Sequence, residues 1–279
     1  EITTRLVGSE MCIRDRYDNS VSHALEYYIA DFALSRFAEA LGKKKDAEMF
    51  YKRSLGYKHY YSKEFGTFRP ILPDGTFYSP FNPRQGENFE PNPGFHEGSA
   101  WNYSFYVPHD VYGLAKLMGG KNPFIKKLQM VFDEGLYDPA NEPDIAYAHL
   151  FSYFRGEEWR TQKETQRLLD KYFTTKPNGI PGNDDTGTMS AWAIFNMIGF
   201  YPDCPGLPEY TLTTPVFNKV TIRLDPKWYK EKELVIESNR TQPGTLYINK
   251  VLLNGKKFNQ YRITHDELVH SQRILFDLK

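Results

Sequence analysis

Four stretches of this sequence gather carboxylates, histidines and amides beside glycine or proline. The densest is Gly182-Asn183-Asp184-Asp185-Thr186-Gly187-Thr188-Met189-Ser190-Ala191-Trp192. Its two adjacent acids lie in a glycine-flanked loop, ahead of a helical apolar pattern of Met189, Trp192, Ile194, Phe195 and Ile198. A loop of this kind exposes carbonyl and carboxylate oxygens together, which suits holding a cation or orienting a water. The plainer reading of the same letters is an aspartate capping an ordinary helix. Phe95-His96-Glu97-Gly98-Ser99-Ala100-Trp101-Asn102-Tyr103 offers a second carboxylate, or else a first-turn glutamate favoured by the helix dipole. Val107-Pro108-His109-Asp110-Val111-Tyr112-Gly113-Leu114 offers an imidazole and an acid, or an aspartate cap beside a packed histidine. Asn141-Glu142-Pro143-Asp144 offers hard oxygen donors, or a turn opened by asparagine.

These loops need elements to hold them. From Tyr17 to about Tyr61, apolar residues recur at three- and four-residue steps, among them Ala24, Tyr28, Phe32 and Phe37. That spacing predicts one helix stopped at Gly42 and a second over Lys45–Tyr61. Residues 64–96 are rich in proline, glycine and aromatics and read as a long ordered loop. Helical patterns return at Ser99–Tyr106, Asp110–Met118, Pro123–Phe132, Ile145–Phe154 and Gln162–Phe173, and after the acidic loop as far as Phe200. Paired helices without intervening strands predict a mainly α fold, an α/α toroid rather than a parallel sheet, whose loops gather at one mouth. Beyond about Phe217 the pattern turns to alternation at Lys219–Leu224, Glu233–Glu237, Thr245–Val251 and Ile274–Phe276. Leu253-Asn254-Gly255-Lys256 is a hairpin signal. This β segment is small for an independent sandwich, so it is expected to complete a sheet.

Composition excludes some functions. Thirty-five basic and thirty-five acidic residues balance to zero, so no electrostatic footprint points to nucleic acid or a membrane surface. No run of about 20 apolar residues is present, which excludes a spanning helix. Twenty Tyr, twenty Phe and four Trp supply a core and flat faces able to stack on sugars. Trp101 and Trp192 are read first as core. Residues 1–16 contain Leu6-Val7-Gly8-Ser9-Glu10-Met11-Cys12-Ile13-Arg14-Asp15-Arg16, which reads as a translated sequencing adaptor. Tyr17 is then the expected start of native sequence, and Cys204 the one native cysteine.

In order along the chain, the motifs resemble glycoside hydrolase family 92, the calcium-dependent exo-α-mannosidases. The series runs Glu-Gly-x-Ala-Trp-x-Tyr from Glu97, Val-Pro-His-Asp-Val-x-Gly-Leu from Val107, and Asn-Glu-Pro from Asn141. Gly-Asn-Asp-Asp-x-Gly-x-Met-Ser-Ala-Trp follows from Gly182, then Gly-Phe-Tyr-Pro-x-Cys-Pro-Gly from Gly199. The resemblance covers roughly Tyr17 to Leu224, with the β tail matching loosely. It implies a partial (α/α)6 toroid over 17–216 and a β segment over 217–279 that would complete a β-sandwich. The N-terminal β-sandwich domain and the first barrel helices would lie outside this chain.

The resemblance also implies roles. The family inverts anomeric configuration, which calls for two carboxyls about 6.5–9.5 Å apart, one acid and one base. Glu97 falls at the general acid and Asp185 at the general base, with Asp184 or Asn183 in support. Calcium would bind near Asn141, Glu142 and Asp185. His96, Trp101, His109, Asp110 and Asn183 fall near the sugar pocket. The substrate would be a mannose-capped glycan, the location periplasmic or secreted. Two features depart from the pattern. Tyr137-Asp138-Pro139-Ala140 precedes Asn141 where many α-1,2-active members carry His-Gly, which leaves α-1,2, α-1,3, α-1,4 and mannosyl phosphodiester linkages open. Asn183 stands where some members carry Asp. A phosphorylase or another inverting hydrolase on the same barrel, and a mannose-binding module without catalysis, are the competing expectations.

Overall fold

The computed structural model describes residues 19–86, 92–242 and 244–279. The adaptor-like stretch 1–16, and 87–91 within the long loop, lie outside the described residues. The chain divides into two compact units: Glu1–Asp138 with Pro205–Leu207, and Pro139–Cys204 with Pro208–Lys279.

In the first unit, α1 (Ser20–Ala40) and α2 (Lys44–Ser54) form a packed helical pair. Ala24, Leu25, Tyr28, Ile29 and Phe32 line the buried side of α1. The predicted stop is real: Gly42 takes φ 71°, a left-handed conformation that glycine adopts without strain after a helix. The second predicted helix is shorter than expected, because Leu55–Tyr60 tightens into a 3-10 turn. A small antiparallel pair, β1 (Tyr61–Ser62) and β2 (Thr67–Phe68), forms at the start of the long loop, its first strand lying just before it. Three helices follow: α3 (Ala100–Tyr103), α4 (Val111–Leu117) and α5 (Lys121–Asp133). Tyr57, Phe68, Phe105, Leu114, Phe124 and Leu128 make up the buried core of this unit.

The second unit opens with the 3-10 turns Glu142–Asp144 and Tyr147–Tyr153, then α6 (Glu158–Tyr172) and α7 (Thr188–Ile198). The strands are β3 (Phe200–Tyr201), β4 (Glu209–Leu212), β5 (Lys219–Arg223), β6 (Glu233–Arg240), β7 (Ile248–Leu253), β8 (Lys256–Phe258), β9 (Arg262–Thr264) and β10 (Arg273–Leu278), with α8 (His265–Val269) before the last. One sheet runs β5-β6-β10-β7-β8, antiparallel except for the parallel β6–β10 pair; a second runs β3-β4-β9. Alternation works as expected. Leu234 and Ile236 of β6 and Ile274, Phe276 and Leu278 of β10 point inward. The β7–β8 hairpin turns at Asn254 (φ 48°) and Gly255 (φ 79°), the doubly positive pair that an Asn-Gly turn supplies.

Candidate active site

Glu97 is built into an unusual backbone. Its φ is 49°, a region that bulky L-residues avoid. Among the described residues only three non-glycines have positive φ: Glu97, Thr186 and Asn254. Asn254 makes the hairpin turn; the other two lie in the two loops that carry the candidate acid and base. Strain of this kind costs roughly 1–3 kcal/mol and persists where surrounding contacts enforce it. For Glu97 those contacts are visible. The backbone N–H of His96 donates to Ser22 Oγ at 2.8 Å, and the His96 carbonyl accepts from Tyr103 Oη at 2.8 Å. On the other side, the Gly98 carbonyl accepts from Asn92 Nδ2 at 3.2 Å. Ser99 then caps α3 in a reciprocal box with Asn102, whose Nδ2 donates to the Leu136 carbonyl. The peptide around Glu97 is thus held at both ends while its side chain is 62% exposed.

His96 faces that carboxylate, with Nε2 3.4 Å from Glu97 Oε1. Asn19 Nδ2 lies 3.3 Å from His96 Nδ1. An amide NH2 only donates, so Nδ1 accepts and Nε2 carries the hydrogen directed at Glu97. Trp101 is buried. Asn102 is buried as well, which closes the Asn102-Tyr103-Ser104 glycosylation sequon in this fold.

His109 and Asp110 occupy a packed, polar corner of the first unit. Asp110 caps α4 by accepting from Gly113 N at 3.0 Å, accepts from Tyr57 Oη at 2.8 Å, and pairs with Lys58 Nζ at 3.3 Å. His109 Nε2 lies 2.9 Å from the Ser54 carbonyl, and burial holds the imidazole below its ordinary pKa and so neutral. These contacts fasten α4 to the segment after α2.

The acidic loop and the Asn141 segment both belong to the second unit, and the structure brings them together. Gly182 (φ 62°) packs so closely on Ala140 that an added Cβ would lie 2.6 Å from the Ala140 Cβ. A second tie runs from Trp192 Nε1 to the Ile145 carbonyl at 3.1 Å. The loop and the helix it feeds therefore both grip the segment carrying Asn141 and Glu142. Asn141 is buried and Glu142 exposed.

The adjacent acids are not equivalent. Asp184 accepts from Ser190 N at 2.9 Å and from Ser190 Oγ, and these bonds hold its carboxyl below the usual range. Ser190 is in the first turn of α7, so Asp184 does cap that helix, from outside it; Gly187 fills the cap position proper. The Asp185 carboxylate is exposed and, among the described residues, accepts no hydrogen bond. Asn183 is exposed beside it. The capping reading and the chemical reading are thus divided between neighbours.

No three His, Cys, Asp or Glu side chains converge as a metal cluster among the described residues. Asn141, Glu142 and Asp185 are all oxygen donors, the donor type that suits a hard cation such as calcium and not a soft thiolate metal.

Sequence reasoning passed over the buried polar network behind α7. Arg262 donates to Asp203 Oδ2 at 2.8 Å and to Glu209 Oε2 at 3.0 Å, and lies over the Tyr153 ring at 3.9 Å. His149 is fully buried, stacks on Tyr201 at 4.3 Å and bonds Asn196 at 2.9 Å. Asp203 lies in the Pro-Asp-Cys-Pro motif, which was a visible signal; Arg262 sits in an unremarkable strand and gave none.

The described residues thus combine mainly helical elements, a C-terminal β segment and exposed carboxylates at Glu97 and Asp185. The family model described as the glycosyl hydrolase family 92 catalytic domain matches residues 10–279, and the chain belongs to that family. The match begins inside the adaptor-like stretch. Among solved structures, a family GH92 α-mannosidase of Bacteroides thetaiotaomicron in complex with mannoimidazole is 30% identical, with a TM-score of 0.87 over 95% of this chain and 36% of its own. A family GH92 inverting mannosidase of Bacteroides thetaiotaomicron VPI-5482 is 31% identical, with a TM-score of 0.82 over 93% of this chain and 37% of its own. A protein of Arthroderma benhamiae described as an uncharacterized secreted glycosidase is 26% identical over 88% of this chain and 34% of its own. The chain therefore spans about a third of the length of these relatives. Among the described residues, no helix is long and apolar enough to cross a membrane.

Proposed function

We propose that the whole protein, this chain with the remaining length its relatives have, is an exo-acting α-mannosidase that hydrolyses terminal α-mannosides with inversion and calcium assistance. In this reading Glu97 protonates the departing glycosidic oxygen and Asp185 takes a proton from the attacking water. Asp184 steadies the loop through Ser190, and His96 orients Glu97. Asn141, Glu142 and Asp185 would hold calcium. When bound, the ion supplies Lewis-acid and template chemistry toward sugar hydroxyls. The observation that carries the reading is the division of the acid pair: Asp184 is tied down by Ser190 while Asp185 stays open, on a loop pressed against the Asn141 segment by Gly182. Support also comes from the two solved relatives, one described as an α-mannosidase with mannoimidazole and one as an inverting mannosidase. A secreted or periplasmic location accords with the relative described as secreted. His109, Asp110 and Trp101 act in this reading by shaping the pocket walls, and Asn183 contacts substrate.

The test is mannose release from α-mannobiosides by the whole protein, with calcium and with a chelator. The expected result is activity abolished by chelator and restored by calcium but not by zinc. Undiminished turnover in chelator, or a requirement for inorganic phosphate as co-substrate, would overturn the reading.

A further inference from the structure

The second unit carries a cavity of about 440 Å³ that involves none of the candidate catalytic or metal residues. Trp159, Tyr247 and Tyr261 line it together with Glu158, Gln162 and Lys279. Three aromatic rings around one cleft with a carboxylate, an amide and an ammonium are the makings of a small-molecule site, apolar faces with a few polar groups that fix orientation.

The platform is preorganised. The Trp159 indole is 40% exposed, yet it is held by the Arg160 guanidinium 4.4 Å from the ring and by an edge-on contact with Tyr247 at 6.5 Å. Gln162 is fixed too. It is buried, and its Oε1 accepts from the Ile248 backbone N–H at 3.0 Å, which sets the orientation of its amide at the cavity wall. Glu158 accepts from Gly156 N at 2.7 Å with one oxygen, and the other remains an acceptor for a hydroxyl. Glu158 and Lys279 bring side chains of opposite charge to the lining. Aromatic rings beside an amide and side chains of opposite charge suit a neutral pyranose, whose C–H faces stack while its hydroxyls both donate and accept.

We infer that the Trp159–Tyr247–Tyr261 cleft is a carbohydrate-binding site for a neutral hexose unit of a glycan, separate in its residues from those proposed for hydrolysis. It would retain the protein on a polymeric or branched glycan. The inference does not depend on the hydrolytic reading, because binding is measured without turnover.

The test is affinity electrophoresis of the whole protein in gels containing yeast α-mannan, with dextran and galactan gels in parallel. All forms carry Glu97→Gln so that the mannan is not consumed. The expected result is retardation by at least one of these neutral glycans, weakened about tenfold in Trp159→Ala and in Tyr247→Ser, the scale of losing an aromatic anchor. Both variants, with Glu97 restored, should hydrolyse a small aryl α-mannoside as the parent does. If Trp159→Ala fails to fold, Tyr247→Ser decides alone, with an unchanged melting temperature as its control. No retardation by any glycan, or retardation unchanged in a folded variant, overturns the inference.

Discussion

At the level of single residues, Glu97 carries backbone strain at the position proposed for the general acid. A left-handed glutamate is costly, and glycine would occupy the same backbone freely. Glu97→Gly is therefore expected to stabilise the fold by about 1 kcal/mol through relieved strain, read as a higher melting temperature, while losing activity. Glu97→Gln keeps the shape and is expected to lower turnover of a natural mannoside about 10²–10⁴-fold. The loss should be smaller for an aryl mannoside whose leaving group needs no proton. Equal loss on both substrates would remove Glu97 from the acid role. His149 makes a separate point about pH. Burial holds its folded-state pKa below the ordinary 6.5, so the unfolded chain binds a proton more readily than the folded one. Its contribution is complete above about pH 6.5 and is lost as pH falls below that value. Thermal melts between pH 7.5 and 5.5 should show this fall, and His149→Gln should flatten it. An identical slope in the variant would assign the acid sensitivity to other groups.

Among the elements, the decisive contact is between the acidic loop and the Asn141 segment. A methyl at Gly182 meets Ala140 and also forces a side chain into φ 62°. Gly182→Ala is expected to destabilise the protein by roughly 1–3 kcal/mol and to weaken calcium-dependent activity. Ala140→Gly in the same chain should recover the part due to the clash and leave the part due to φ. A double-mutant cycle with no coupling would mean that the two loops do not constrain each other. Much of this level was legible in the sequence. Helical periodicity gave α1, α4, α5, α6 and α7 within a few residues, and alternation with Asn254-Gly255 gave β5 to β8 and β10. What escaped was short or non-local. β3, β4 and β9 span two to four residues, too few for a pattern, and they exist because Phe200, Leu212 and Ile263 bury against the larger sheet. The parallel β6–β10 pairing joins strands far apart in sequence, which no local signal encodes. Ile145–Phe154 reads as a helix, but the structure tightens most of it into a 3-10 segment. The candidate site was legible as a set of letters; that Asp184 would be tied and Asp185 open depends on a hydrogen bond six residues along, visible only once folded.

For the molecule as a whole, the first unit leaves apolar side chains in water. Tyr27, Leu34, Phe37 and Leu41 recur at helical spacing along α1 and beyond its end, and each is more than two-fifths exposed. A stripe of this kind favours association. The 279-residue chain on its own is expected to self-associate in sedimentation velocity, and Leu34→Glu with Phe37→Lys should shift it toward monomer. A monomeric parent chain would contradict this. We propose that in the whole protein the remaining polypeptide, including a β-sandwich domain, covers such surface, and that activity requires it. The measurement that tests the central claim most directly is proton NMR of the first-formed sugar released from an α-mannobioside by the whole protein. β-Mannose appearing first, and equilibrating later to the α form, is the result predicted for Glu97 as acid and Asp185 as base. α-Mannose appearing first would mean retention and contradict those roles.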